Sequence, residues 1–147
     1  MTIRRAKIKQ IFDPVLAVER SALRARKLVY LLVANKPIRY GKKYSRIVYV
    51  GTTEHGVRRI ASSAANRAGK ALGLPGVTRV EAFVLHCKLR KHVKMWEILE
   101  RAVLLAFRDE FDNQVPRLNI QGRGIRVKNE FKIFSRPQLR RIVNRYP

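Results

Sequence analysis

The stretch Ile47-Val48-Tyr49-Val50-Gly51-Thr52-Thr53-Glu54-His55-Gly56-Val57-Arg58-Arg59-Ile60-Ala61-Ser62-Ser63 reads as a short strand running straight into a helix. Arg46 to Val50 is rich in β-branched and aromatic residues, the composition of a strand. Gly51-Thr52-Thr53 halts it, and a helix is expected from about Glu54 to Arg67 with Thr53 as N-cap. A fold requires neither of the adjacent arginines, Arg58 and Arg59, at the opening of that helix. A cation near a helix N-terminus opposes the helix dipole. A strand ending in glycine lets the backbone approach a ligand closely. The stretch therefore carries a candidate site as well as a fold element.

Upstream, Leu28 to Ala34 reads as a buried strand, followed by a basic loop from Asn35 to Tyr44 in which Pro37 and Gly41 interrupt regular structure. Downstream, Leu74-Pro75-Gly76 breaks the chain, Thr78 to Lys88 reads as a third strand, and His92 to Glu110 as a long helix. Asp13-Pro14 opens a helix to about Arg26, and Ser135-Arg136-Pro137 opens a last one through Asn144. Two successive strands with no helix between them argue for antiparallel pairing, hence an α+β fold.

The 147 residues suit one domain, and 46% hydrophobic content is too high for a disordered tail. Thirty-three Lys and Arg against ten Asp and Glu leave +23, spread from Arg4 to Arg145. A compact body with that excess repels itself unless a polyanion neutralises it, which points to nucleic acid as partner. No apolar run approaches spanning length and the N-terminus has no signal-like core, so neither membrane insertion nor export is expected. Cys87 is the only cysteine, which excludes an internal disulfide and a thiolate zinc cluster and fits a reducing, cytoplasmic setting.

On a helical wheel, Val57, Ile60, Ala61, Ala64 and Ala68 gather on one side of the first helix, while Arg59, Ser63 and Arg67 project from the other. In the long helix Val93, Trp96, Leu99, Val103, Leu104, Ala106 and Phe107 fill a broad apolar arc. Glu97 shares the polar face with Lys94, Arg101 and Arg108, but Glu100 falls inside the arc. A carboxylate there must pair with an arginine, bind a cation or sit in an open pocket. Two further segments suit phosphates. Gly122-Arg123-Gly124 with Arg126 and Lys128 offers backbone N–H groups and cations; Lys36, Arg39, Lys42 and Lys43 alternate with Tyr40 and Tyr44. His55, His86 and His92 lack zinc-site spacing, and no Walker loop, dinucleotide fingerprint or Ser-His-Asp pattern occurs.

Val29-Tyr30, then Val48-Tyr49-Val50-Gly51, Arg59 ten positions after Tyr49, Glu100 in a helix and Leu118-Asn119 together resemble the GIY-YIG nuclease superfamily. The resemblance covers residues 28–120, leaving a basic N-terminal extension at 1–27 and a basic C-terminal loop and helix at 121–147. It implies a three-stranded antiparallel sheet flanked by helices, and an endonuclease that hydrolyses phosphodiester bonds in DNA in preference to RNA. It also implies catalytic roles: Tyr30 and Tyr49 beside the attacking water, Arg59 on the scissile phosphate, Glu100 as ligand of one Mg²⁺ or Mn²⁺, and Asn119 as a supporting hydrogen-bonder. Arg58, Arg67, Lys42, Lys43, Arg123, Arg126 and Lys128 are the expected nucleic-acid contacts. The first motif lacks its leading glycine, and Ser63 stands where many members carry a proton-handling group; His55, one turn before Arg59, is the other candidate for that task. The alternative expectation is a nucleic-acid-binding protein of the same fold with relaxed catalysis, embedded in a ribonucleoprotein such as a ribosome.

Overall fold

Two long strands, β1 (Leu28–Tyr40) and β2 (Lys43–Thr53), form an antiparallel hairpin in a computed structural model that describes residues 7, 9–10, 12–14, 24–119 and 125–147. The basic loop expected from Asn35 to Tyr44 is instead the distal part of this hairpin. Pro37 is accommodated because the β1–β2 register jumps from Val33↔Ile47 to Ile38↔Ser45, so its missing N–H falls in an irregular stretch of the ladder. Gly41 takes φ 61° at the first central position of the two-residue turn, the backbone pattern of a type II′ hairpin. Tyr40 is core, not a surface aromatic: it is 1% exposed and packs edge-on against Phe107.

β3 (Val80–Leu85) pairs antiparallel with the other side of β1, giving the order β2-β1-β3. It is shorter than the expected Thr78 to Lys88. As the central strand, β1 is buried on both faces over Leu28 to Ala34. Alternation divides those residues between two cores. Val29, Leu31 and Val33 pack with Leu99, Val103 and Phe107 of α2 (Met95–Glu110) and Leu139 and Val143 of α4 (Arg136–Val143). Leu28, Tyr30, Leu32 and Ala34 face Ile60 and Ala71 of α1 (Val57–Leu72). The domain is thus a three-stranded antiparallel sheet with helices on both faces, an α+β sandwich.

Local boundaries differ from the sequence-based ones for identifiable reasons. Thr53 does not cap α1; its Oγ1 accepts from the His55 N–H, 3.1 Å away, in a turn. Gly56 is the N-cap, at φ 75°, a conformation suited to glycine, and its N–H donates to the Arg26 carbonyl at 2.8 Å. Ala61, expected on the apolar face, is exposed, and Ala71 on a later turn is buried in its place. α2 begins at Met95 because His92 takes φ 60° and interrupts the helical path. Ser135 does cap α4, its hydroxyl accepting from the Gln138 N–H. A one-turn helix, α3 (Glu130–Ile133), precedes it and was not anticipated. The helix expected from Asp13-Pro14 to Arg26 falls mainly on positions outside the described residues; Arg24 to Arg26 are not helical. No helix among the described residues is long and apolar enough to cross a membrane.

Candidate active site

An irregularity in β2 aims the second tyrosine. Leu32 pairs with Tyr49 but Val33 pairs with Ile47, so Val48 is an extra residue in the ladder. Such a bulge breaks strict alternation and leaves Val48 and Tyr49 both on the α1 side. Tyr49 thereby joins Tyr30, with ring centroids 5.8 Å apart and planes tilted by 47°. Gly51, opposite Tyr30 in the register, makes that pairing fit. A Cβ at position 51 would stand 2.6 Å from Cε1 of Tyr49 and 2.9 Å from Cζ of Tyr30. The glycine anticipated as room for a ligand is room for the two phenol rings.

The tyrosines and Thr52 form the strand wall of a cavity of about 470 Å³. The opposite wall is the polar face of α1: Arg59, Ser62, Ser63, Asn66, Arg67 and Lys70. Among the described residues no lining residue is acidic, and the ion pairs leave Arg59, Arg67 and Lys70 free. Three uncompensated cations facing two phenols make a pocket for an anion. The Arg67 guanidinium lies 4.2 Å from the centroid of the Tyr49 ring, a cation–π contact. Burial pushes the Tyr30 phenol up to about 12, with the neighbouring Tyr49 adding to the rise and Arg67 opposing it. Burial likewise raises Tyr49; Arg67 counteracts this and the Glu100 carboxylate reinforces it. Both phenols are therefore protonated, and hydrogen-bond donors, at neutral pH.

Glu100 reaches the same region from α2. It does not line the cavity but is coupled to two residues that do, through the hydroxyl of Thr52 and the phenol of Tyr49. Burial raises its pKa; the Thr52 hydroxyl acts against the rise as a hydrogen-bond partner, and Glu97 adds to it. Of the three fates open to this carboxylate, the arginine pair is not taken among the described residues. The adjacent Arg101 turns its Nε to Glu130 at 2.9 Å and its Nη2 to the Arg126 carbonyl at 3.1 Å. Asn119 closes the edge of β2: its Oδ1 accepts from the Val50 N–H at 2.9 Å and its Nδ2 donates to the Val50 carbonyl at 2.8 Å.

The remaining expected residues are dispersed. Ser63 lines the cavity, whereas His55 is exposed and does not. Lys42 and Lys43 sit at the far end of the hairpin, ten residues along β1 from the Tyr30 pair, about 30 Å for extended chain. There the Lys42 N–H donates to Asp112, and Lys43 Nζ is 3.9 Å from Glu110. Arg126 and Lys128 are exposed on the segment anchored by Arg101 and Glu130. Arg123 and the side chain of Arg58 lie outside the described residues. Ser62, Asn66 and Lys70 were not singled out, although the polar spacing that marks Arg59, Ser63 and Arg67 includes them. Thr52 carried no sequence signal beyond adjacency to Gly51.

For a divalent cation, the donors are the Glu100 carboxylate and the Thr52 hydroxyl. Among the described residues no group of three or more His, Cys, Asp or Glu side chains gathers to form an all-protein cage. A carboxylate with no ion-pair partner among the described residues, beside an anion pocket, nevertheless suits Mg²⁺, which keeps several waters and is commonly held by one or two carboxylates plus substrate phosphates. Comparison with family models, with curated proteins and with solved structures returns no match for this chain.

Proposed function

We propose that this protein is a metal-dependent endonuclease of the GIY-YIG type that hydrolyses phosphodiester bonds in DNA. The observation carrying this reading is the convergence of Tyr30, Tyr49 and Arg59 on one anion pocket, with the Glu100 carboxylate, which forms no ion pair among the described residues, at its margin. Arg59 holds the scissile phosphate and offsets the charge that builds on its oxygens, with Arg67 and Lys70 completing the cradle. Tyr30 and Tyr49, protonated at neutral pH, orient the attacking water and a phosphate oxygen by donating hydrogen bonds. Arg67, stacked on Tyr49, is the group that eases formation of a phenolate there. Asn119 holds Val50, and through it the strand that carries Tyr49 and Gly51, in register. Glu100 and Thr52 would hold Mg²⁺ or Mn²⁺, which when bound stabilises charge on the leaving oxygen. An intracellular place of action goes with this substrate and with the free Cys87.

A second reading is supported by the proton chemistry of the pocket. Both phenols are held protonated, and Ser63 is a poor base without an activator. On that reading the chain is a nucleic-acid-binding protein of a ribonucleoprotein, with relaxed catalysis. Supercoiled plasmid and structured RNA incubated with and without Mg²⁺ or Mn²⁺ separate the two. Metal-dependent nicking that disappears in Glu100→Ala and Arg59→Ala is expected. Persistent binding with neither substrate cut in any metal condition selects the second reading.

A further inference from the structure

The connection from β3 to α2 carries Lys88, Arg90, Lys91, His92 and Lys94 within seven residues, all exposed. It is an ordered reversal. The Val93 N–H donates to the Arg90 carbonyl at 3.2 Å, the two residues form an isolated antiparallel bridge, and His92 takes φ 60°. Lys91 and His92 thus occupy the centre of a tight turn and project from its tip. A left-handed non-glycine residue costs on the order of 1 kcal/mol, so this geometry is held by its surroundings. Among the described residues only Lys94 has an acidic partner, Glu97 at 3.6 Å, and that pair is more than half exposed and readily screened.

Position gives this charge a direction. β3 runs antiparallel to β1 with Val29↔Leu85 as the terminal pair. The turn therefore leaves the sheet at the end where Tyr30, Gly51 and Thr52 lie. It leads directly into α2, so Lys94 and Glu100 are six residues apart, about 9 Å along the helix axis. That spans about three nucleotides of axial rise on a nucleic-acid strand. The edge of the surface is extended by Lys27, whose Nζ sits 4.5 Å from the Trp96 ring centroid at the start of α2.

We propose that the Lys88–Lys94 turn is a second phosphate-binding surface, which grips the nucleic-acid backbone a few nucleotides from the phosphate in the cavity and fixes the path of the strand across Glu100. This rests on the nucleic-acid reading above, and it concerns the flanking backbone, not the reacting phosphate. DNA and RNA share the phosphodiester chemistry, so both are used as probes.

The test is the salt dependence of binding to a labelled DNA duplex and to a labelled RNA hairpin, for the wild type and for a Lys88→Ala/Arg90→Ala/Lys91→Ala variant. Each lost contact to duplex DNA flattens the slope of log K against log salt by about 0.9, so the triple variant is expected to flatten it by about 2 to 3. Restoring charge with Lys88→Arg, Arg90→Lys and Lys91→Arg recovers the slope. Lys91→Gln alone, at the exposed tip, serves if the triple variant melts early, with an expected change of about 0.9. A slope unchanged on both probes overturns the proposal. A flattened slope in a protein that cuts neither plasmid nor RNA leaves this surface standing and the nuclease reading refuted. An unchanged slope in a protein that cuts does the reverse.

Discussion

Tyr30 and Tyr49 meet at a centroid distance of 5.8 Å because Gly51, the ladder partner of Tyr30 and two residues beyond Tyr49 on β2, has no side chain. A bulge at Val48 and a glycine three positions later together produce one tyrosine pair. The relationship is testable with a single methyl group.

Gly51→Ala is expected to force the two rings apart and to destabilise the fold by about 1 to 3 kcal/mol, as overpacking does. Denaturant unfolding measures the loss, and near-UV circular dichroism reports the tyrosine displacement. Gly69→Ala is the contrast. Nothing lies within 4 Å of a Cβ there, and the position is inside α1. Replacing a helical glycine is expected to stabilise by about 0.5 to 1 kcal/mol. Equal effects at the two positions would refute the packing account.

Glu100→Gln should make the protein more stable at neutral pH. The folded-state pKa of Glu100 is raised, so the native state binds its proton more tightly than the unfolded state does. Its charge is a cost that sets in as pH rises through the window between the unfolded and folded values and persists above it. Removing the charge recovers that cost at pH 7 and gains nothing once pH falls below the ordinary carboxylate range. Thermal melting across pH checks this; a lower Tm at neutral pH would show that the carboxylate is structurally paired after all.

Glu130 is predicted to behave oppositely. It is 3% exposed, and burial alone would raise its pKa, but the Arg101 guanidinium at 2.9 Å and the Lys128 N–H at 2.6 Å more than offset this and lower it. Its contribution to stability is present above the unfolded value and is lost as pH falls through the folded one. Arg101→Ala leaves a buried carboxylate without its cation and is expected to cost about 2 to 3 kcal/mol at pH 7. The loss should shrink under acid, and a pH-independent loss would mean that the pair is not what holds the C-terminal segment.

Tyr40→Phe tests the far end of the same framework. The Tyr40 hydroxyl donates to the Ile47 carbonyl at 2.8 Å and accepts from the Arg117 N–H at 3.0 Å. Its removal should cost about 1 to 2 kcal/mol by depriving the buried Ile47 carbonyl and the partly buried Arg117 N–H of this partner. Because Arg117 stands two residues before Asn119, hydrogen exchange at Val50 should also quicken. Unchanged exchange at Val50 would show that the two contacts are independent.

The strands and helices around Arg59 and Glu100 were legible because each is written in local periodicity. An unbroken apolar run marks Leu28 to Ala34 as a buried strand, the spacing of polar residues marks the pocket face of α1, and the helical wheel separates Glu100 from Glu97. The cap at Ser135 is equally local. The extension of the hairpin through Pro37 was not legible, because a register jump is a property of two strands and not of one. Only the tertiary structure turned Arg101 from its neighbour Glu100 to Glu130, 29 positions away, and brought the Asn119 amide to Val50, 69 positions away. By itself the sequence determined most of the side chains that share a face of each helix, since backbone geometry repeats within a few residues, whereas the bulge that puts Val48 and Tyr49 on one face of β2 came from its pairing with β1. Which charges are paired and which stay free was decided by contacts between distant segments, because burial and partner choice exist only once those segments pack.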